Sequence, residues 1–488
     1  MYYMKKILHT LLFLLLTNLV FAQKETYDPK KTYTPAQLRE DFVFLRKCLE
    51  EAHPGLYWYT PKDSLDKVFD DFEKTLQKDL TERQFRNRLF PVVAQIRCGH
   101  SSLANSKLRS KYLEKSNTKY IPFDLFSIDN QLFIKENASK DSTLKKGTEV
   151  VSINGVNSAE LVKNMANSFL SDGYNETHRK RTASRHFQMW YPRLNEEKDT
   201  FNLVLKDSLL QEKTLQFPAI VAKKFPFSVD KNAPKPKIIY SNKKVNTFFL
   251  DEKNPKIAVL RVGTFSSFGY WKLYRKAFKY IEKNKIENLV LDLRGNGGGM
   301  IFHPGRLLSY LIKEPETVHV YRENTKPSFA EKIEGKGKFL RLTTRLFPLF
   351  PKKTGVTTFK NDSIFDIFIK TKVREKHHYD GKLYVLIDGG CFSATCMTAA
   401  FLKKNKRGTF IGDETGGGEK GCNAMVMSNL ELPNTKLRYR FPFFRVEHQL
   451  SPEKIGRGIF PDIFIKYDKK SVLENKDLEM EKVRSLVK

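Results

Sequence analysis

Apolar side chains between residues 33 and 90 recur at steps of three and four positions, which is the spacing of amphipathic helices. Thr34-Pro35 and Thr81-Glu-Arg-Gln84 have the composition of helix starts, and the second is spelled like a capping box. The pattern predicts a helical N-terminal region over residues 23–115.

The pattern then changes to that of strands, with alternating or continuous apolar positions over 120–125 and 131–135. Residues 144–156 combine a Gly turn, a β-branched strand and an Asn-Gly turn, and a helix is predicted over 158–169. This segment resembles part of PDZ domains, which bind extended peptides at a sheet edge. We therefore predict a PDZ-like domain over residues 116–216; the alternative is a β-rich spacer that binds nothing.

Strands and helices alternate after a Pro- and Lys-rich connection, predicted over residues 217–250. Residues 256–262 and 288–293 have the composition of buried strands, and an amphipathic helix is predicted between them over 270–283. This alternation of strands and helices indicates an α/β core, which we place at residues 251–467.

Two further segments are attached to this core. A basic, phenylalanine-rich insertion is predicted over residues 325–376, and its apolar part, residues 346–351, indicates either a decorating subdomain or a surface that lines a cleft or touches a partner. A charged helix closes the chain at residues 468–488. The fold class predicted from these parts is α+β, with several domains.

The first 22 residues have the features of a signal peptide. A short basic start precedes a largely apolar run of 15 residues, Ile7–Phe21, which is shorter than the roughly 20 residues that a membrane span requires. We expect cleavage after Ala22 and an exported chain, periplasmic or extracellular, with no later membrane span. An uncleaved anchor is the alternative.

The net charge of +31 is spread along the chain as single Lys and Arg residues. No Arg-rich arm, zinc-finger spacing or RNA-binding aromatic motif accompanies it, so we predict no nucleic-acid partner. The charge indicates either a solvated Lys-rich surface or attraction to anionic material of the cell envelope.

The five cysteines are too few and too scattered for a disulfide-stapled fold. None lies in a CxxC pair or at metal spacing with a histidine, so we predict no metal and no cofactor. Cys391 and Cys396 are expected to be small core residues.

A serine lies at the turn between a predicted strand and a predicted helix. The apolar run 383–387 is followed by Gly389-Gly390, by Ser393 and by a helical segment, 394–403. A hydroxyl at such a turn lies near the first amides of the helix, which favour developing negative charge, as in the nucleophile elbow of hydrolases. The alternative is that Ser393 is a plain N-cap residue.

Two other sequence features could complete a site with this serine. Glycines 295, 297, 298 and 299 follow a buried strand but fit neither a dinucleotide-binding motif nor a P-loop, so they are candidates for presenting bare N–H groups to an oxyanion. His100 follows Gly99 where a helix is expected to end. A lone histidine at such a place is more often a surface or cap residue.

Three motifs occur in order along the core: Leu-Asp-Leu-Arg-Gly-Asn-Gly-Gly-Gly at 291–299, Ser393 with Ile-Gly-Asp-Glu-Thr-Gly at 411–416, and Gly-Ile-Phe-Pro-Asp-Ile at 458–463. Together they resemble the tail-specific, or C-terminal processing, serine peptidases. The resemblance implies an α/β peptidase core of the ClpP/crotonase type and a polypeptide substrate.

The family has two catalytic designs. In one, a lysine from a Gly-rich loop activates the serine, but that position holds Gly418 here and Lys420 lies two residues further on. The branch that resembles the tricorn protease core and retinoid-binding repeats uses a histidine instead, and Cys98-Gly99-His100-Ser101 is similar to its motif. The resemblance therefore favours His100, with Ser393–Lys420 as the alternative dyad.

The resemblance implies a role for each residue. Ser393 is the nucleophile, His100 the base, and the amides of Gly297 or Gly298 and of Ala394 form the oxyanion hole. The branch orients its histidine through a serine, which is Gly99 here, and through a late acid, for which Glu453 is the first candidate and Glu447 the second. An inactive relative that binds peptide or hydrophobic ligands is the alternative function.

Overall fold

The computed structural model describes residues 26–207, 209–223, 227, 236–242, 245–323, 356–360, 364–451 and 454–487. It confirms the predicted mixed α+β fold with several domains. The predicted signal peptide, the apolar part of the insertion at 346–351, and Glu453 lie outside the described residues.

The N-terminal region is helical, and both of its predicted helix starts are capping boxes, at Thr34 with Gln37 and at Thr81 with Gln84. Each threonine side chain accepts a bond from the third amide of its helix, and each glutamine Oε1 accepts the backbone N–H of the threonine. Its elements are β1 (Thr32–Tyr33), α1 (Pro35–Ala52), α2 (Lys62–Lys74), β2 (Leu80–Thr81), α3 (Glu82–Ala94), β3 (Ser102–Ala104) and α4 (Lys107–Lys115).

The middle region is a β-sheet covered by two helices, with a core of its own. The sheet order is β10-β9-β7-β6-β5, and β8 pairs with β7. Its elements are β4 (Thr118–Tyr120), β5 (Phe123–Ile128), β6 (Gln131–Asn137), β7 (Glu149–Ile153), β8 (Val156–Asn157), α5 (Ser158–Asn167), α6 (Thr177–Leu194), β9 (Thr200–Lys206), β10 (Glu212–Pro218) and β11 (Ile220–Ala222).

Two sheets build the core of the chain. Within the described residues, the first has the order β12-β13-β14-β15-β19-β20-β23, parallel from β14 onward. The second has the order β17-β18-β16-β22-β21. The elements are β12 (Ile238–Asn242), β13 (Asn246–Asp251), β14 (Asn254–Val262), α7 (Tyr270–Lys283), β15 (Asn288–Asp292), α8 (His303–Leu308), β16 (Thr317–Glu323), β17 (Val356–Lys360), β18 (Ile364–Lys370), β19 (Lys382–Ile387), α9 (Ala394–Lys404), β20 (Thr409–Gly412), β21 (Gly421–Glu431), β22 (Arg438–His448), β23 (Ile463–Phe464), α10 (Lys469–Leu473) and α11 (Leu478–Leu486).

Two segments differ from their predicted character. Part of the predicted connection at 217–250 forms β12 and β13, which pair antiparallel at the edge of the first sheet. The end of the predicted insertion forms β18, which pairs with β16 in the second sheet. Their hydrogen bonds come from neighbouring strands, so the apolar pattern of each segment alone does not reveal them.

The N-terminal helices and one face of the first sheet share a single hydrophobic core. On the other face, Met480 and Val483 of α11 pack against strands β14, β15, β19 and β20. Arg294, two residues after the end of β15, holds this helix against the sheet through ion pairs with Asp477 and Glu479. The catalytic candidates therefore stand on a sheet that is covered on both sides.

No helix in the ranges described above combines the length and the apolar character needed to cross a membrane.

Candidate active site

Ser393 stands between β19 and α9 in a strained backbone conformation, with φ 54° and ψ −125°. It occupies the N-cap position, but its side chain makes no capping hydrogen bond. A non-glycine residue at positive φ costs about 1–3 kcal/mol and persists only when its surroundings impose it. The plain N-cap alternative is therefore not what the structure has, and the hydroxyl is left free for other chemistry.

Asp388, directly after β19, holds this turn in place. Its Oδ1 accepts the amides of Gly295 (2.8 Å) and Gly390 (2.9 Å), and its Oδ2 accepts two bonds from the Arg181 guanidinium. One carboxylate thus joins the Gly loop after β15, the serine turn and helix α6 of the middle domain.

The candidate oxyanion residues lie against Ser393. A Cβ on Gly298 would lie 2.7 Å from Ser393 Cβ and 3.0 Å from the Ala394 nitrogen. The Gly298 amide itself donates to Asn296 Oδ1 (2.9 Å) and is not available to a substrate. The amides of Gly297 and Ala394 have no hydrogen-bond partner within the described residues, so of the two predicted glycines Gly297 has the free donor.

His100 reaches the core because the strand that follows it, β3, adds to the second core sheet by pairing with β22. Burial, with Arg440 nearby, lowers the pKa of the imidazole to about 4. A neutral imidazole is the form that can accept a proton. Its Nδ1 is buried without a hydrogen-bond partner in the described part of the chain.

The ring of Phe392 links this histidine to the serine turn. It lies 5.0 Å from the His100 ring and 5.2 Å from the ring of His178, measured between centroids. A Cβ on Gly99 would lie only 2.3 Å from the Phe392 ring. Across the described residues, Ser393 and His100 share no hydrogen bond, so the resting arrangement brings the two together through Phe392 rather than directly.

The lysine design does not fit the loop as it is built here. A Cβ on Gly418 would lie 2.8 Å from the carbonyl oxygen of Gly421, which leaves no room for a side chain at the family's lysine position. Lys420 lies at the start of β21, where its carbonyl accepts the amide of His448. The structure shows no hydrogen bond or ion pair of the Lys420 ammonium within the described ranges.

Glu447, one of the two acids predicted to orient His100, contacts other residues instead. It pairs with Arg445 (2.9 Å) and accepts a bond from the Tyr321 hydroxyl (3.1 Å). Glu453 lies outside the described residues and stays a prediction.

The middle domain contributes a buried carboxyl group that the sequence did not reveal. Asp172 Oδ1 accepts the Gly99 amide (2.8 Å), one residue before His100. Burial raises the pKa of Asp172 to about 7, against the opposing effect of the Gly99 and Gly418 amides.

The sequence analysis also did not predict five other residues of the site: Phe392, His178, Arg181, Asp388 and Asn296. Of these, only Asp388 could have been found from its neighbours in the sequence, because it is an acid between a buried strand and a Gly-Gly turn.

In the described part of the chain, no group of three or more His, Cys, Asp or Glu side chains is placed to hold a metal ion. All five cysteines are buried, and none of them forms a disulfide bond with another.

Comparison with known proteins decides the family of the core. Residues 256–465 match the model of peptidase family S41. The core of the chain belongs to peptidase family S41. The S41 core is a serine peptidase domain, and the predicted resemblance is confirmed. No curated protein sequence matches the chain significantly.

Solved structures are similar to this chain over most of its length. Mature CPAF complexed with lactacystin is 15% identical, covers 93% of this chain and 98% of its own, and has a TM-score of 0.66. An S499A mutant of CPAF is 15% identical at 93% and 97% coverage, with a TM-score of 0.64. The photosystem II D1 C-terminal processing protease is 14% identical at 90% and 98% coverage, with a TM-score of 0.38. At these identities the CPAF structures show a common fold that extends beyond the S41 core.

Proposed function

We propose that this chain is an exported serine endopeptidase in which Ser393 is the nucleophile and His100 the general base. The S41 core implies a polypeptide substrate. The observation that carries the proposal is the strained Ser393, which has no capping bond and packs against Gly298 of the glycine loop that follows β15.

In the proposed reaction, Ser393 Oγ attacks the scissile carbonyl carbon while His100 Nε2 takes the hydroxyl proton. The amides of Gly297 and Ala394 stabilise the negative charge that develops on the carbonyl oxygen. His100 then gives the proton to the leaving amine, and a water molecule hydrolyses the acyl-enzyme by the reverse sequence of proton transfers.

The base and the nucleophile must come into hydrogen-bond contact for this reaction. Catalytic hydrogen bonds often form only in the substrate complex. Phe392 and the His100 loop are the parts that have to adjust, because Phe392 directly precedes the serine and packs on the histidine.

Hydrolysis of denatured casein tests the assignment. Wild type should cleave it, Ser393→Ala should not, and His100→Ala should be slower by at least about 10³-fold. Lys420→Ala is the matched control and should keep wild-type activity. Activity that survives in His100→Ala but disappears in Lys420→Ala would show that the lysine is the base.

Export is a separate proposal, supported by the basic start and the short apolar run of residues 1–22. The net charge of +31 supports an association with anionic envelope material. N-terminal sequencing of the exported chain should give Gln23. A mature chain that still begins at Met1 would support the uncleaved anchor instead.

A further inference from the structure

The base in a serine peptidase needs a partner on its second ring nitrogen. When Nε2 takes the serine proton, the imidazolium carries a second N–H at Nδ1, and an acceptor there fixes the ring and stabilises its charge. In this structure His100 Nδ1 is buried with no partner among the described residues, and Arg440 lies close enough to disfavour the charged form.

Asp172 has a buried acceptor oxygen that lacks a donor in the described part of the chain. Its side chain is 1% exposed, and its Oδ2 is also buried with no hydrogen-bond partner in the described part of the chain. Its Oδ1 is fixed by the amide of Gly99, the residue directly before His100. An unpaired donor site and an unpaired acceptor thus belong to two residues that are linked through the Gly99 amide.

The segment that carries Asp172 is held firmly against the site. The Gly173 amide donates to the Arg97 carbonyl (3.0 Å), and the Asn175 side chain donates to the Thr415 carbonyl (2.6 Å). The Gly418 amide faces the same carboxyl group. Asp172 therefore joins the His100 loop to the second glycine loop, residues 416–418, which lies beside Ser393.

We propose that Asp172 is the positioning residue for His100: Oδ1 fixes the loop through the Gly99 amide, and Oδ2 accepts the Nδ1–H of the imidazolium formed during catalysis. This rests on the proposed Ser393–His100 function and gives His100 an orienting partner in a chain where Gly99 replaces the orienting serine. The proton from Ser393 goes to Nε2 and then to the leaving amine, and the Nδ1 proton stays on the ring.

The proposal has a pH signature because only the carboxylate form can take this role. Burial raises the pKa of Asp172 to about 7, and the groups that face it are Tyr59, Cys98, Cys396 and Cys422. Burial raises the pKa of each of these four, to about 12 for Cys98 and Cys396, so all stay neutral over the working range. His100, with a pKa of about 4, is already neutral there.

The test is the rate at which a fluorophosphonate probe labels Ser393 in the full-length chain between about pH 5 and pH 9. The wild-type rate should rise through about pH 7. Asp172→Asn should be slower by at least about tenfold at pH 8 and should lose this rise, since an amide of the same shape carries no charge.

Asp41→Asn is the matched control. Asp41 is also a buried carboxyl group that accepts backbone amides, those of Asn434 (2.6 Å) and Thr435 (2.8 Å), and burial raises its pKa too, but it anchors α1 to the core. This variant should lower the melting temperature and keep both the labelling rate and its pH profile.

Labelling of Asp172→Asn at the wild-type rate and pH profile would overturn the inference and leave the proposed function standing. If Asp172→Asn does not fold, the wild-type profile decides, because a rate that is flat between pH 6 and pH 8 also overturns it. Folded wild type that is not labelled at all would overturn the proposed function, and this inference with it.

Discussion

Gly298 is the residue on which the serine turn depends most closely. It has φ 97°, and a Cβ there would meet the Phe392 carbonyl oxygen and Ser393 Cβ, both at 2.7 Å. Neither atom belongs to the end of a flexible side chain, so any substitution must displace the nucleophile.

Gly298→Ala should therefore slow casein hydrolysis by at least about 100-fold, since a misplacement of about 1 Å has an effect of this size. Gly155→Ala is the control: it has φ 80° and no atom within 4 Å of the added Cβ, so it adds backbone strain without a clash. Equal activities of the two variants would show that the close packing at Ser393 does not matter for catalysis.

Among the residues of the candidate site, the sequence identified only those whose neighbours along the chain form a recognisable motif. Ser393 and the glycines at 295–299 are marked by their neighbours along the chain, and His100 by its motif. The contacts of Phe392 with His100 and of Asp172 with Gly99 join residues far apart in sequence, so no local pattern could predict them.

Among the elements, helix α6 connects the middle domain to the catalytic turn. Its Arg181 makes a two-bond ion pair with Asp388, and its His178 donates from Nδ1 to the Gly389 carbonyl (3.1 Å). Because Asp388 also holds Gly295 and Gly390, the docking of this helix and the shape of the serine turn depend on each other.

Arg181→Ala should lower the free energy of unfolding by about 3 kcal/mol, because it leaves a largely buried carboxylate without its partner. It should also slow hydrolysis. Lys180→Ala removes the neighbouring, exposed ion pair with Glu176 and should change either quantity little. Urea unfolding and casein assays on both variants make the comparison, and equal effects would contradict the role of Arg181.

The elements that the sequence predicted well are those with their own periodicity. Helix α7 begins and ends at the predicted residues, Tyr270 and Lys283, because one face is apolar throughout. Strands β12 and β13 were missed because they form an antiparallel edge in a Lys- and Pro-rich segment, where pairing with β14 supplies the stability.

Across the whole molecule, the N-terminal helices and the S41 core fold around one hydrophobic interior. His53 belongs to this interior, and burial lowers its pKa from 6.5 to about 3. His53 is therefore protonated below about pH 6.5 in the unfolded chain, but only below about pH 3 in the folded chain. Stability from this group is complete above pH 6.5 and falls as the pH falls.

His53→Asn removes this titration while keeping a short polar side chain. The unfolding free energy of wild type, relative to the variant, should fall by about 2 kcal/mol between pH 7 and pH 5. Urea unfolding at the two pH values measures it. A difference that does not change with pH would mean that His53 titrates normally in the folded chain.

The organisation into helical, β-rich and peptidase parts follows from the order of sequence patterns. How the parts dock does not, since β3, α6 and the Asp172 segment reach the core through pairings with residues far along the chain. We infer that the catalytic site is assembled between these parts.

Mass spectrometry of the full-length chain after fluorophosphonate treatment tests whether Ser393 and His100 form one catalytic site. We predict one adduct, on Ser393, that forms quickly in wild type and at least about 10³-fold more slowly in His100→Ala. An adduct on another residue, or labelling of Ser393 that is undiminished in His100→Ala, would contradict it.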